Sequence, residues 1–370
     1  MDYEAKVEET ARHLRYSFGR RLFVQTDISN FFPSIYSHAL PWAAVGMSAA
    51  KSLKNDPNQW FNQLDQRVRH LNRNETNGVA IGPATSNIVA ESILARVDEE
   101  MAKRYVYVRF IDDYTAYCDS EAEAESFVIQ LAEELAKYKL ALNIGKTEIH
   151  PLPRAPVPAW LTRLALMLPK EGEVHRYPAV SYLNLAVELA REVPDGSVIK
   201  YAARALTRQD LTFMAKVDTL KYLLTLSFSQ PTLLPVLEEL FDSTLLLTFS
   251  YESELRALAL EAARFRRSDG MAWMLYYLRK YGVSVTSDIA SEILASRDCV
   301  GLLMLYLCGD KKQQDDVTAF AKNLSKSDLY ELDQYWLLLF ELYRRNALGS
   351  PYKSEDAFEI LKAEGVWFVE

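Results

Sequence analysis

YVRFIDDYTAY, residues 107–117, is the stretch on which the fold of this chain turns. Two runs rich in aromatic and β-branched residues flank Ile111–Asp112–Asp113, the pattern of a β-hairpin with adjacent carboxylates at its tip. Aspartate is a favoured turn residue, and a solvated tip needs no function to explain it. The apolar, aromatic flanks argue for more. Carboxylates crowded together repel one another and are costly to desolvate unless a cation stands between them. The tip therefore predicts a place for cations.

Working outward, the first partner is QTDISNFFPSIYSH, residues 25–38, where Asp27 ends the β-rich run Leu22–Asp27. A lone aspartate at a strand end is ordinarily a turn residue or a helix cap. Taken with Asp112 and Asp113 it makes a trio that two divalent ions, about 3.5–4 Å apart, would neutralise. That arrangement activates a 3′-oxygen and stabilises a leaving pyrophosphate. Magnesium suits it, since it takes oxygen ligands and usually only one or two protein carboxylates.

Two further segments complete the set. TNGVAIGPATSNIVAE, residues 76–91, places Gly78, Gly82 and Pro83 in a loop that leads into a helix, with Pro83 suited to an early helical position. Glycines let a backbone approach a base or sugar without a Cβ in the way; a plain helix entry has the same look. LALNIGKTEI, residues 140–149, puts Lys146 in a Gly-Lys-Thr turn without the upstream glycine of a phosphate-binding P-loop. Such a lysine neutralises or protonates leaving pyrophosphate, or is simply solvated.

Around these segments helix and strand patterns alternate. Arg104–Phe110 is strand-like, and Ala84–Met101 is helical with apolar Ile88, Val89, Ile93, Val97 and Met101. Ser120 and Glu123 form a capping box ahead of a helix whose Phe127, Val128, Leu131 and Leu135 share one face. An α+β domain is expected. PLPRAPVP, residues 151–158, then carries four prolines in eight positions and excludes helix and central strand. It divides the chain into residues 1–155 and an all-helical remainder, residues 156–370. There, amphipathic segments follow one another at intervals of about 15–20 residues, as stacked helical hairpins of the HEAT type or an irregular bundle would require.

Composition bounds the rest. The 370 residues carry 42 Lys+Arg against 50 Asp+Glu, a net charge of −8, with 49% hydrophobic residues. That is a soluble globular balance, and no run of about 18 apolar residues predicts a membrane span. Three cysteines without a CxxC pair, and an acidic start without an apolar core, fit a cytoplasmic protein that has neither a disulfide framework nor a secretory signal. The charge is −3 up to Arg154 and −5 beyond it, so neither part is the basic surface that gripping a long duplex requires.

The ordered set TDISNFFPSIYSH, TNGVAIGPATSNIVAE, YVRFIDDY and LALNIGKTEI resembles motifs A, B, C and D of reverse transcriptases, over about residues 20–150. FFPSIYSHALPWA, the TNG before the glycine loop and IGPATSNIVAE resemble the antiphage branch, which holds the abortive-infection and defence-associated enzymes. The resemblance implies a polymerase palm with an antiparallel sheet, followed by a helical-repeat domain in place of a thumb. It implies that Asp27, Asp112 and Asp113 are catalytic. Metal would be held by Asp27, Asp112 and the Ile28 carbonyl, with Mg2+ as cofactor. Phe32 would be the gate that excludes a 2′-hydroxyl, so that dNTPs are the substrates. Gly82 and Pro83 would lie at the incoming nucleotide, and Lys146 would be the motif D lysine.

Two departures stand out. Motif B in many reverse transcriptases has Pro and Gln before its second glycine, where this chain has Ala80 and Ile81. Only 26 residues precede Asp27, too few for ordinary fingers, so the fingers are minimal or truncated: either a natural minimal form or, the favoured expectation, a lost N-terminal segment. The acidic balance and the absent thumb favour DNA synthesis without a template, primed from a protein hydroxyl, with DNA left covalently attached. Tyr3, Tyr16 and Tyr36 are possible primers among 21 tyrosines. A homo-oligomer is implied. Templated reverse transcription and a catalytically dormant scaffold remain the alternatives.

Overall fold

The computed structural model describes residues 6–169, 172–194, 197–243, 251–324, 329–350, 352 and 357–369. They fall into two compact units, Met1–Pro158 and Ala159–Glu370.

The first unit is built on four antiparallel strands: β1 (Leu22–Asp27), β2 (Tyr107–Phe110), β3 (Asp113–Cys118) and β4 (Glu148–Pro151). Their order is β2-β3-β1-β4, so β1 and β3 are the central pair. β2 starts at Tyr107 rather than Arg104, because Arg104 and Tyr105 still donate to the carbonyl of Met101 and close the preceding helix. That helix, Ala84–Met101, lies against one face of the sheet through Ile93, Leu94, Val97 and Met101. Ile88, apolar in the helical pattern, points to solvent at 65% exposure. The helix Glu121–Ala136 covers the same face with Phe127, Leu131 and Leu135. Its start is the expected capping box with a shifted return bond. Ser120 Oγ accepts from the Glu123 N–H at 3.2 Å, and Glu123 accepts from the N–H of Asp119, not of Ser120.

On the opposite face the helix Lys6–Ser17 covers the far end of β1 and β3. His13 and Tyr16 pack on Tyr117, whose hydroxyl lies 3.1 Å from His13 Nδ1. Tyr3 lies outside the described residues. Tyr16 is half-buried in that stack, and Tyr36 carries the Lys139 ammonium 4.7 Å from its ring centre.

Among the described residues the second unit contains helices and no strand, with a single isolated bridge between Val174 and Leu211. Val198–Thr207 is a helix end to end, as its pattern predicts. Arg176–Glu192 begins earlier than its apolar pattern, with Pro178 in the first turn where a missing N–H costs nothing. The stretch PTLLPV is a 3-10 turn before the short helix Leu237–Ser243, since Pro235 cannot donate inside an α-helix. Neighbouring helices such as Glu252–Arg264 and Ser268–Lys280 bury leucine, alanine and methionine in a core formed entirely by residues of this unit.

Candidate active site

The period of two along a strand decides which side chains meet. In β1, Val24 and Thr26 are buried against the helices, whereas Gln25 and Asp27 face the other way. In β3, Tyr114, Ala116 and Cys118 are buried, and Asp113 and Thr115 take the opposite face. The register sets Asp27 directly across from Asp113, and Gln25 across from Thr115. Like charges opposed on central strands are destabilising. A sheet built for stability alone has no use for the pair.

Asp112 lies between β2 and β3, in a turn it shares with Ile111. Ile111 has φ of 57°, the left-handed region that a β-branched residue rarely occupies. Backbone strain of this kind persists only where the surroundings enforce it, and they do. Arg109 Nη1 donates to the Ile111 carbonyl at 2.9 Å. The same guanidinium is fixed by both oxygens of Glu91, at 2.7 and 2.8 Å, and by Asp98 Oδ2, at 2.6 and 2.8 Å. Its side chain is only 11% exposed. Glu91 and Asp98 stand on the helix Ala84–Met101, so that helix and the Asp112 turn are held together by one arginine. The turn is tied to β1 as well, by the Ile28 N–H donating to the Asp112 carbonyl at 3.3 Å.

Lys146 reaches the same end of the sheet from the 3-10 turn Ile144–Lys146. That turn is docked on β1: the Asn143 N–H donates to the Asp27 carbonyl at 2.9 Å, and the hydroxyls of Thr26 and Thr147 lie 2.8 Å apart. Lys146 Nζ then donates to Asp27 Oδ2 at 3.0 Å while staying largely exposed. The hydrogen bond to Asp27, and then that carboxylate's charge, raise the lysine pKa.

The other oxygen of Asp27, Oδ1, is buried and has no hydrogen-bond partner. Asp112 is held above the ordinary carboxyl range, chiefly by lost hydration and further by the charge of Asp27. Asp113 is raised too, by lost hydration first and then by the charges of Asp112 and Asp27. An orphaned oxygen and carboxylates under mutual repulsion are what a hard cation relieves. Among the described residues no group of three or more His, Cys, Asp or Glu side chains closes round a metal position. Magnesium does not require one, because water and phosphate fill most of its sites. The donors present fit such an ion.

The remaining expected residues do not join this hydrogen-bonded set. Phe32 is half-buried in the short helix Phe31–Ser34, its ring 5.1 Å from that of Phe31. Its carbonyl accepts from the Val79 N–H at 3.0 Å, which places the glycine segment alongside it. Gly78 is required there: its φ is 91°, and a Cβ would meet the Pro33 carbonyl at 3.2 Å. Gly82, with φ of 116°, faces open space, and Pro83 is the residue before the helix rather than a member of it. The Ile28 side chain is buried in the core. Sequence patterns miss Arg109, although an arginine inside an aromatic β-run, three residues before the carboxylates, is itself out of place.

Comparison with known proteins agrees with this geometry. No curated protein matches the chain. Residues 4–185 match the family model described as reverse transcriptase (RNA-dependent DNA polymerase), a span that holds all four motif segments and every residue of the carboxylate end of the sheet. Residues 4–185 therefore form a reverse transcriptase domain, of the RNA-directed DNA polymerase family of nucleotidyltransferases.

Proposed function

We propose that this protein is an antiphage DNA polymerase of the abortive-infection branch of reverse transcriptases, which adds dNTPs without a template and starts from a protein hydroxyl. The observation that carries the polymerase chemistry is the meeting of Asp27, Asp112, Asp113 and Lys146 at one open end of the central strand pair. Asp27 and Asp112, with the Ile28 carbonyl, are the metal ligands in this reading, and Asp113 completes the trio. Bound magnesium would supply the positive charge that acidifies the attacking hydroxyl and offsets the triphosphate. The hydroxyl oxygen bonds to the α-phosphorus and its proton passes to solvent, while the bond to the β-phosphate oxygen breaks and pyrophosphate leaves. Lys146, already at the site and largely exposed, exchanges Asp27 for the leaving group and hydrogen-bonds or protonates it. Phe32 lies under the sugar, and the open backbone at Gly82 and Pro83 admits the base.

The antiphage assignment rests on FFPSIYSHALPWA and IGPATSNIVAE, together with a second unit made of paired helices, read as a HEAT-like repeat domain spanning residues 156–370. A cytoplasmic homo-oligomer follows from the same resemblance. Among the described residues no helix is long and apolar enough to cross a membrane.

The test is to incubate the full chain with dNTPs and magnesium in the absence of nucleic acid. Labelled DNA that enters the aqueous phase only after protease treatment is the expected product. Product only with added RNA, and complementary to it, would replace this reading with templated reverse transcription, which the family description favours. Loss of phage protection in Asp112→Ala, with folding intact, is expected; protection retained would leave the polymerase without a role in defence.

A further inference from the structure

The first unit contains a cavity of about 620 Å³ whose walls include none of the carboxylate-end residues. That volume is within the range of small-molecule sites. One wall is aromatic: Tyr36 and Trp42, with ring centres 5.6 Å apart and planes tilted by 59°. Lys51 Nζ stands 5.6 Å from the Trp42 ring centre, an exposed cation that a flat group entering the cavity would displace from that ring face. Lys54, also in the lining, is exposed and has no ion-pair partner among the described residues.

The floor is polar and built. Asp65 is only 5% exposed, on the helix Trp60–Leu71, and its Oδ2 lies 2.8 Å from His38 Nδ1 and 3.3 Å from Arg69 Nε. Its Oδ1 is buried without a partner, and so is Arg69 Nε, which is poorly directed at the carboxylate. The contact to Asp65 fixes the His38 ring and leaves Nε2 without a partner among the described residues. The unpaired Asp65 Oδ1 is an acceptor that an amino group on a ring in the cavity would satisfy. The lining carries Lys51, Lys54 and Arg69 against Asp56 and Asp65, so its cations outnumber its carboxylates although the chain as a whole is acidic.

Together these features point to one ligand chemistry. A flat ring stacks on Trp42, gaining about 1–3 kcal/mol as bases do on aromatic side chains. The displaced Lys51 ammonium and Lys54 then hold an anion beside it. His38 Nε2 and the amide of Gln66, another lining residue, are left to bond the edge of the ring. We propose that this cavity is a second nucleotide site, taking a nucleoside phosphate, either free or as one unit of a single strand.

The experiment is equilibrium dialysis of the full chain in EDTA, with dATP in one arm and a twelve-residue oligo(dA) in the other. Saturable binding of dATP identifies a free nucleotide, and binding of the oligonucleotide alone identifies a strand. In either case the double variant Lys51→Glu, Lys54→Glu should bind at least about tenfold more weakly, as expected for loss of charge-assisted contacts. Both lysines are exposed, so the variant should fold, which circular dichroism checks. Trp42→Ala should weaken binding comparably. Asp112→Asn, which disables the carboxylate end, should bind like wild type. The proposal falls if neither probe binds, if the lysine variant binds as tightly, or if Asp112→Asn abolishes binding.

Discussion

Arg109 shows what a single side chain can be asked to do. It holds a strained Ile111 carbonyl on one side and two carboxylates of a neighbouring helix on the other. Arg109→Gln leaves Glu91 and Asp98 without their cation, at a cost of about 2–3 kcal/mol, since hydrogen bonds to charged groups are worth about 1.5–3 kcal/mol each and these are partly solvated. Urea denaturation measures this. Loss of the Ile111 bond should also let the Asp112 turn relax, so kcat should fall more than tenfold, a step of about 1.4 kcal/mol, with little change in KM. Arg109→Lys keeps the charge and loses the fork, and should fall between the two. A fall in KM-controlled binding with kcat intact would show that the arginine does not position the turn. Asp112→Asn tests the opposite trade. It removes a carboxylate held above its ordinary range, so in EDTA it should raise stability in urea denaturation, and with magnesium present it should abolish nucleotide transfer.

At the scale of elements, local signals carry most of the structure. The capping box Ser120–Glu123 starts the helix Glu121–Ala136, and Ser120→Ala should cost about 1 kcal/mol in denaturant unfolding because the Glu123 N–H loses its acceptor. The helix Ala84–Met101 and the strand Leu22–Asp27 were legible for the same reason: period and caps are properties of neighbouring residues. The carboxylates were legible because aspartates in apolar company violate the local pattern. What was not legible is tertiary. Lys146 meets Asp27 across 119 residues, and the Arg109 partners lie on a helix whose charged face looks merely solvated. The His38–Asp65 cavity has no sequence signature at all. In the second unit, Lys280 likewise joins Glu238 and Asp242 across two helices, at 2.7 and 2.9 Å. Hydrogen bonding to Lys280 lowers both carboxyl pKa values. Depressed acids add stability above their unfolded pKa values and lose it as pH falls through the folded ones. The added stability should therefore be present at pH 7 and disappear below about pH 4, by about 0.5–1 kcal/mol for exposed pairs, and Lys280→Met should reduce this slope to the part held by the Tyr276 and Tyr281 hydroxyls.

Across the whole molecule, charge and architecture bear on the same question. Each unit buries its own core, one drawn from Val24 to Leu142 and the other from Leu164 to Phe358. Neither unit is basic, and several arginines are already committed to internal partners, as Arg109, Arg176 and Arg344 are. A polymerase that grips a duplex through 6–10 phosphate contacts loses about 10³–10⁵ in affinity between 50 and 200 mM salt. A polymerase whose growing strand is tethered to the protein needs few such contacts, because attachment supplies the local concentration. The rate of dNTP incorporation without nucleic acid should thus change by no more than about threefold between 50 and 200 mM KCl, the residual effect coming from screening at the triphosphate. Incorporation on an added primer–template, if it occurs, should fall steeply over the same range. A steep fall in the nucleic-acid-free reaction would mean that synthesis depends on phosphate contacts after all, and that the acidic balance conceals a basic groove formed only when the strand is bound.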